Sequence, residues 1–251
     1  MAAKDSEELL KTRVVLSEEV KFQNPVVICG FVDSFPVGSL TATYMVDQLK
    51  LHQIGHLRSI YIPPIAVFVG QRLRNPFRIY TNPDGTLVII LSESPLNSNG
   101  YYEISSVLVN WIEELKPSEL VIIEGTQGED PQGERDVYGI AGKNKLAEFQ
   151  KKGLKPAKSA LIGGLGGAIM NQCIERDMNC SCVMSDVSAY IPDPGSALRV
   201  IEALNKLFNL NVPTELLEES VTEIHNQIRE LSAQMDKMRK GETDSSDRMY
   251  G

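Results

Sequence analysis

The chain has little of what most functional classes need. Its 251 residues include 3 histidines, 4 cysteines and a single tryptophan. Apolar runs such as Pro25 to Cys29, Leu87 to Leu91 and Leu120 to Ile123 fall far below the roughly 18 residues that span a bilayer. The N-terminus, MAAKDSEELLK, is polar and has no apolar signal core. These absences predict a cytoplasmic chain and no membrane partner. Basic residues are also short: 25 Lys and Arg stand against 33 Asp and Glu, a net charge of -8. Nucleic acid is therefore not expected as a partner, because phosphates need a basic footprint.

The motifs of common chemistries are missing too. There is no Gly-x-Ser-x-Gly elbow and no Cys/His nucleophile pair. No Walker Gly-Lys-Ser/Thr follows a glycine turn. His52 and His56 are four apart and would share one face of a helix, but Gly55 lies between them and no paired glutamate accompanies them, so a solvated pair is expected. Cys29, Cys173, Cys180 and Cys182 form no C-x-x-C unit and read as buried, reduced thiols. No catalytic residue, metal ligand or cofactor is assigned.

What is present is an alternation of short apolar runs and helical patterns. Pro25–Gly30, Leu57–Ile62, Leu120–Gly125, Ala157–Ile162 and Cys180–Met184 read as strands. Arg78–Thr81 and Thr86–Leu91 flank Asn82-Pro-Asp-Gly85 and read as a hairpin. Helices are expected over Leu40–Leu51, with Leu40, Tyr44 and Leu51 inward, and over Tyr101–Leu115, with Ile104, Leu108, Trp111, Ile112 and Leu115 on one face. Another is expected over Pro194–Phe208, with Asp193 as N-cap. The fold class is therefore α/β: a mixed, mostly parallel sheet with helices on both faces. From Leu217 to Met238 apolar residues recur at alternating spacings of 4 and 3, a heptad seam on a long C-terminal helix. The expected organisation is an α/β domain over 1–211, this helix over 212–240 and a flexible polar tail over 241–251.

Two places suggest a pocket. Gly163, Gly164, Gly166 and Gly167 follow a predicted strand and open a helix, where a phosphate can rest on free N–H groups. The spacing matches neither a dinucleotide fingerprint nor a P-loop, so a tight structural turn is the simpler reading. Glu124 and Gly125 begin an acidic segment that runs to Glu129 and Asp130, at the C-terminal end of a strand, where α/β proteins place ligands. The end of the chain stands out more. Met249-Tyr250-Gly251 tips a tail that is otherwise polar. A tyrosine offers contact area with few rotors, and the terminal carboxylate can take a charge-assisted bond in a partner's pocket.

The body resembles the archaeal branch of the proteasome assembly chaperone 2 family. The matching residues are the first strand with its Gly30-Phe31 to Pro36-Val37-Gly38 connection, the Leu120–Gly125 strand and loop, the glycine-rich turn at 163–167, and Tyr190-Ile-Pro-Asp-Pro194 opening a helix. They spread over about residues 20–210. The family is similar in fold to the phosphorylase/hydrolase-like α/β class. The tail resembles the hydrophobic-tyrosine-any motif with which proteasome regulators dock on the core-particle α-ring. The resemblance implies an ATP-independent proteasome assembly chaperone or activator that docks through Met249, Tyr250 and Gly251. It implies a homo-oligomer, a tetramer first and a pentamer as the alternative. The rival readings are a phosphorylase- or hydrolase-like enzyme, with a pocket at 34–39, 124–130 and 163–167, and an oligomeric α/β protein whose ending is chance.

Overall fold

The computed structural model of the chain describes residues 11–69, 71–128, 135–187 and 193–222. It divides into two compact units, Met1–Pro213 and Thr214–Gly251. In the second unit residues 215–222 are helical. The Thr214 carbonyl opens that helix by accepting from the N–H groups of Leu217 and Glu218. The heptad positions from Ile224 to Met238, and the tail, lie outside the described residues.

The first unit is built on one large sheet. In chain order its elements are β1 (Arg13–Leu16), β2 (Val26–Gly30), α1 (Val37–Gln48), β3 (His52–Arg58), β4 (Val67–Val69), β5 (Arg72–Arg74), β6 (Phe77–Thr81), β7 (Leu87–Ser92), α2 (Tyr101–Glu114), β8 (Glu119–Gln127), β9 (Val137–Ala141), α3 (Lys143–Lys151), β10 (Lys155–Pro156), α4 (Gly164–Glu175), β11 (Cys180–Val187) and α5 (Pro194–Phe208). Nine strands pair in the order β1-β3-β6-β7-β2-β8-β11-β9-β10, and β4 and β5 make a separate two-stranded ribbon. The central four, β7, β2, β8 and β11, are parallel. Antiparallel strands flank them on both sides, so the sheet is mixed.

Burial on both faces is why the central strands read as unbroken apolar runs. Val27, Cys29, Val88, Ile90, Leu120 and Ile122 join the core with Ile104, Leu108 and Ile112 of α2 and Leu165 and Ile169 of α4. The alternate residues point to the other face, where α1 and α5 pack. There a Cβ on Gly30 would meet the Gly38 carbonyl and Ala42, so only glycine lets α1 come this close. All four cysteines are free; Cys29, Cys173 and Cys182 are buried and Cys180 is half-buried.

Several elements depart from the sequence reading. The second strand is His52–Arg58, not Leu57–Ile62, so His52 and His56 sit on a strand rather than a helix. Exposed Glu18 contacts His52 at 3.2 Å. In α1 the buried side is Val37, Thr41, Ala42 and Met45, while Leu40 and Tyr44 are only half-buried. Residues 157–162 form no strand, and Leu161 is 99% exposed. An apolar run there has no neighbouring strand to pair with. Strands β1 and β9, helix α3 and the β4–β5 ribbon carry too little apolar periodicity to be read in advance. By contrast α5 runs over the expected residues, and Asp193 Oδ1 accepts from the Ser196 N–H as its cap.

Candidate functional site

The direction of the strands decides where connections gather. β2, β7, β8 and β11 run together, and β3 runs the same way through two antiparallel steps. Their C-terminal ends therefore share one end of the sheet. The loops after β2, β3, β7 and β8, and the starts of α1, α2 and α4, all lie at that end. This is where open α/β sheets hold ligands.

Two carboxylates and a tyrosine meet there. Asp33 comes from the loop after β2, Glu124 from β8, and Tyr101 is the first residue of α2. Both carboxylates lie against the first turn of α4. A Cβ on Gly164 would fall on Asp33 Oδ2, and one on Gly166 would fall on Glu124 Oε1 and Ile122. Gly164 also has φ of 58°, a region that favours glycine. Gly167 passes close to the Ile162 carbonyl, and Gly163 faces open space. The expected glycine-rich turn is thus the first turn of α4 itself, with Gly163 as its N-cap. A Cβ on Gly125 would point to the opposite face, against Phe35 and Val37.

The electrostatics follow from burial. Desolvation, and then the nearby Asp33 charge, push the Glu124 carboxyl up to about 8. Burial and the same Asp33 push the Tyr101 hydroxyl above its ordinary value. At neutral pH Glu124 is therefore mostly a neutral carboxylic acid and a hydrogen-bond donor. The end of α4, where a phosphate would have to rest, already faces two carboxyl groups of the chain. Glu129 and Asp130 lie outside the described residues, as do Met249, Tyr250 and Gly251. Sequence reasoning found Glu124 and the glycines but missed Asp33 and Tyr101. Asp33 falls between the two segments of the first connection that carry the resemblance, Gly30-Phe31 and Pro36-Val37-Gly38.

Other features are kept apart from this cluster. A cavity of about 300 Å³ lies at the base of the β3–β6 connection, lined by His56, Arg58, Ile62, Pro63, Ile65 and Pro76 among others. Burial, then the charge of Arg58, lower the His56 pKa. Among the described residues no three His, Cys, Asp or Glu side chains are placed to hold a metal ion. No helix among them is long and apolar enough to cross a membrane.

A model of the PAC2 family matches residues 27–232, most of the chain. The chain belongs to the PAC2 family. Among solved structures it is similar to a protein of unknown function from Thermoplasma acidophilum, at 44% identity and a TM-score of 0.75, covering 89% of this chain and 92% of that one. It is similar to PbaA of Pyrococcus furiosus, described as an archaeal homologue of proteasome-assembly chaperone, at 25% identity and a TM-score of 0.77, covering 91% and 99%. PbaB of the same organism, described as an archaeal proteasome activator, shares the fold at 21% identity and a TM-score of 0.76, covering 88% and 99%. The mixed sheet with its parallel centre is thus a PAC2 fold.

Proposed function

We propose that this PAC2 protein is a cytoplasmic, ATP-independent proteasome assembly chaperone or activator, and a binding protein rather than an enzyme. The observation that carries the reading is the ending, Met249-Tyr250-Gly251, on a tail with no other apolar residue after Gly241. Family membership and the likeness to PbaA support it. In this reading the tail enters a pocket of the core-particle α-ring. The tyrosine ring fills it, and the terminal carboxylate takes a charge-assisted bond from a basic side chain. The heptad-patterned sequence from Leu217 to Met238 helps to hold several copies together, so that one body presents several tails. A tetramer is the first expectation and a pentamer the alternative.

A pull-down with an archaeal core particle tests this reading. The intact chain is expected to bind, and chains ending at Arg248 or carrying Tyr250→Ala are expected to lose binding while melting as the intact chain does. Undiminished binding by both variants overturns the docking role of the tail.

A second reading, a phosphorylase- or hydrolase-like enzyme, draws on one observation: a neutral Glu124 beside Asp33 at the ligand-bearing end of the sheet. A saturable thermal shift with phosphate, a nucleotide or a divalent ion, removed by Gly166→Ala, would put this reading ahead.

A further inference from the structure

The four cysteines are not equivalent. Cys29 and Cys182 lie in the central strands β2 and β11 with no exposed surface. Burial pushes both thiols well above their ordinary value, so they stay protonated and unreactive. Cys173 and Cys180 differ because they meet. Their thiols hydrogen-bond to each other. Cys173 lies in the core and Cys180 packs against it.

Local chemistry brings the two together. Cys173 is in the last turn of α4, and Cys180 is the first residue of β11. The helix is followed by Asp177 in the left-handed conformation, at φ of 54°. The Met178 N–H then donates back to the Cys173 carbonyl at 3.0 Å, and the Asp177 N–H to the Ile174 carbonyl at 3.4 Å. That pair of bonds closes a helix and reverses the chain. The Leu120 N–H donates to the Asn179 carbonyl at 3.0 Å and seats the returning chain against β8. Residue 180 is thereby set beside residue 173.

The pair is asymmetric. The Cys180 S–H donates to Cys173 and holds that thiol below its ordinary value; burial and the Glu113 charge oppose this, and the Arg176 guanidinium assists it. Arg176 is itself fixed by Glu113 at 3.1 Å and Gln172 at 3.0 Å. The same thiol contact, then burial, pushes Cys180 up. Access differs too: Cys173 has no exposed surface, whereas Cys180 is half-buried. A buried sulfur that gives up its proton more easily, behind a sulfur that solvent reaches, supplies both parts of a redox pair.

We propose that Cys173 and Cys180 are a redox-active dithiol, which a peroxide closes to an intramolecular disulfide. The pair first loses one proton to solvent. Cys180, the reachable sulfur, then attacks one peroxide oxygen while the remaining thiol proton passes to Cys173. The O–O bond breaks. Cys180 becomes a sulfenic acid, and the released hydroxide takes up a proton from solvent as the first water. Cys173 Sγ next attacks the Cys180 sulfur. The S–O bond breaks, and the displaced hydroxide leaves with the Cys173 proton as the second water. The two thiols have given up two electrons, and the peroxide has been reduced to two waters. In a reducing compartment the pair rests open, as the four free thiols here are, and a disulfide there is transient. The inference depends neither on the tail nor on the number of copies.

Peptide mapping of the full, folded chain after hydrogen peroxide and alkylation tests it. The digest is expected to contain a cross-link between Cys173 and Cys180, and the intact mass to fall by two hydrogens. Thiol titration in denaturant should drop by half from the four of the reduced chain, and dithiothreitol should restore all four. Closing the short ring should raise the melting temperature by about 5 °C. A Cys173→Ala chain should stop at the sulfenic acid of Cys180, which dimedone traps. The mapping needs no variant, so it decides the matter even where Cys173→Ala fails to fold. Four intact thiols after peroxide overturn the inference, as does a cross-link that uses Cys29 or Cys182 or joins two copies. A closed chain that melts no higher shows that closure strains the fold and overturns a pair set to close. A folded Cys173→Ala chain that dimedone does not label overturns Cys180 as the sulfur that meets the oxidant.

Discussion

Among single residues, Glu124 is the most informative. Its carboxyl is raised from an ordinary 4.5 to about 8 by burial and by Asp33. A raised carboxyl binds its proton more tightly when folded. The resulting stability is fully present below about pH 4.5 and is lost as pH rises through about 8. The slope within that window approaches 1.4 kcal/mol per pH unit for one proton. Thermal denaturation of the intact chain should therefore show a melting temperature that falls between pH 5 and 9, and Glu124→Gln should flatten that fall. Equal slopes for both proteins would mean that the group stays charged throughout. The pairing behind this effect was not visible in the sequence. Asp33 and Glu124 are 91 positions apart, and only the parallel pairing of β2 with β8 brings their ends together. The glycines were visible, but their purpose was not. Gly166 reads as a turn former, yet its work is to make room for a carboxyl.

Elements differ in how much of themselves they announce. Helix α5 was legible because both ends are written in local chemistry: Asp193 then Pro194 at the start, and Asn209 in the left-handed conformation at the close. The central strands were legible from their continuous apolar runs. Helix α1 was placed but turned the wrong way, because apolar residues surround it and a stripe cannot be told from a general apolar surface. Strand β3 carries His52, Gln53 and His56 among its seven residues, so polar alternation hid it. Stability at the α5 cap has a sharp test. Asp193 both caps the helix and meets Arg135 at 3.0 Å with little solvent around the pair. Asp193→Ala should cost about 1–3 kcal/mol in chemical denaturation. Asp193→Asn keeps a good cap and loses only the charge, so it should cost clearly less. Equal losses would assign the effect to the ion pair alone.

In the proposed homo-oligomer, binding depends on copies acting together. One tail that docks through three residues makes few contacts, and its affinity should be modest. Several tails on one rigid body raise the effective concentration of each later one, and avidity exceeds single-tail affinity by roughly 10²-fold or more. A free peptide of residues 241–251 should therefore displace the intact assembly from the core particle only at a concentration about 100-fold above that at which the assembly itself binds. Competition at comparable concentrations would show that the tails act singly. The family assignment was accessible from sequence because its matching segments span the sheet.

The two ends of the strand order carry one more consequence. On one side the sheet stops at β10, which is only Lys155 and Pro156. Proline has no N–H to offer an incoming strand, and lysine brings a charge to the edge. On the other side it stops at the four residues of β1. The segments with the strongest tendency to form fibrils, the apolar stretches of β7 and β8, each lie at least three strands from either edge. Fibrils built on β7 or β8 therefore find no edge of the large sheet to extend among the described residues. They must begin from unfolded chains, and their rate should follow the unfolded fraction rather than the concentration of folded protein.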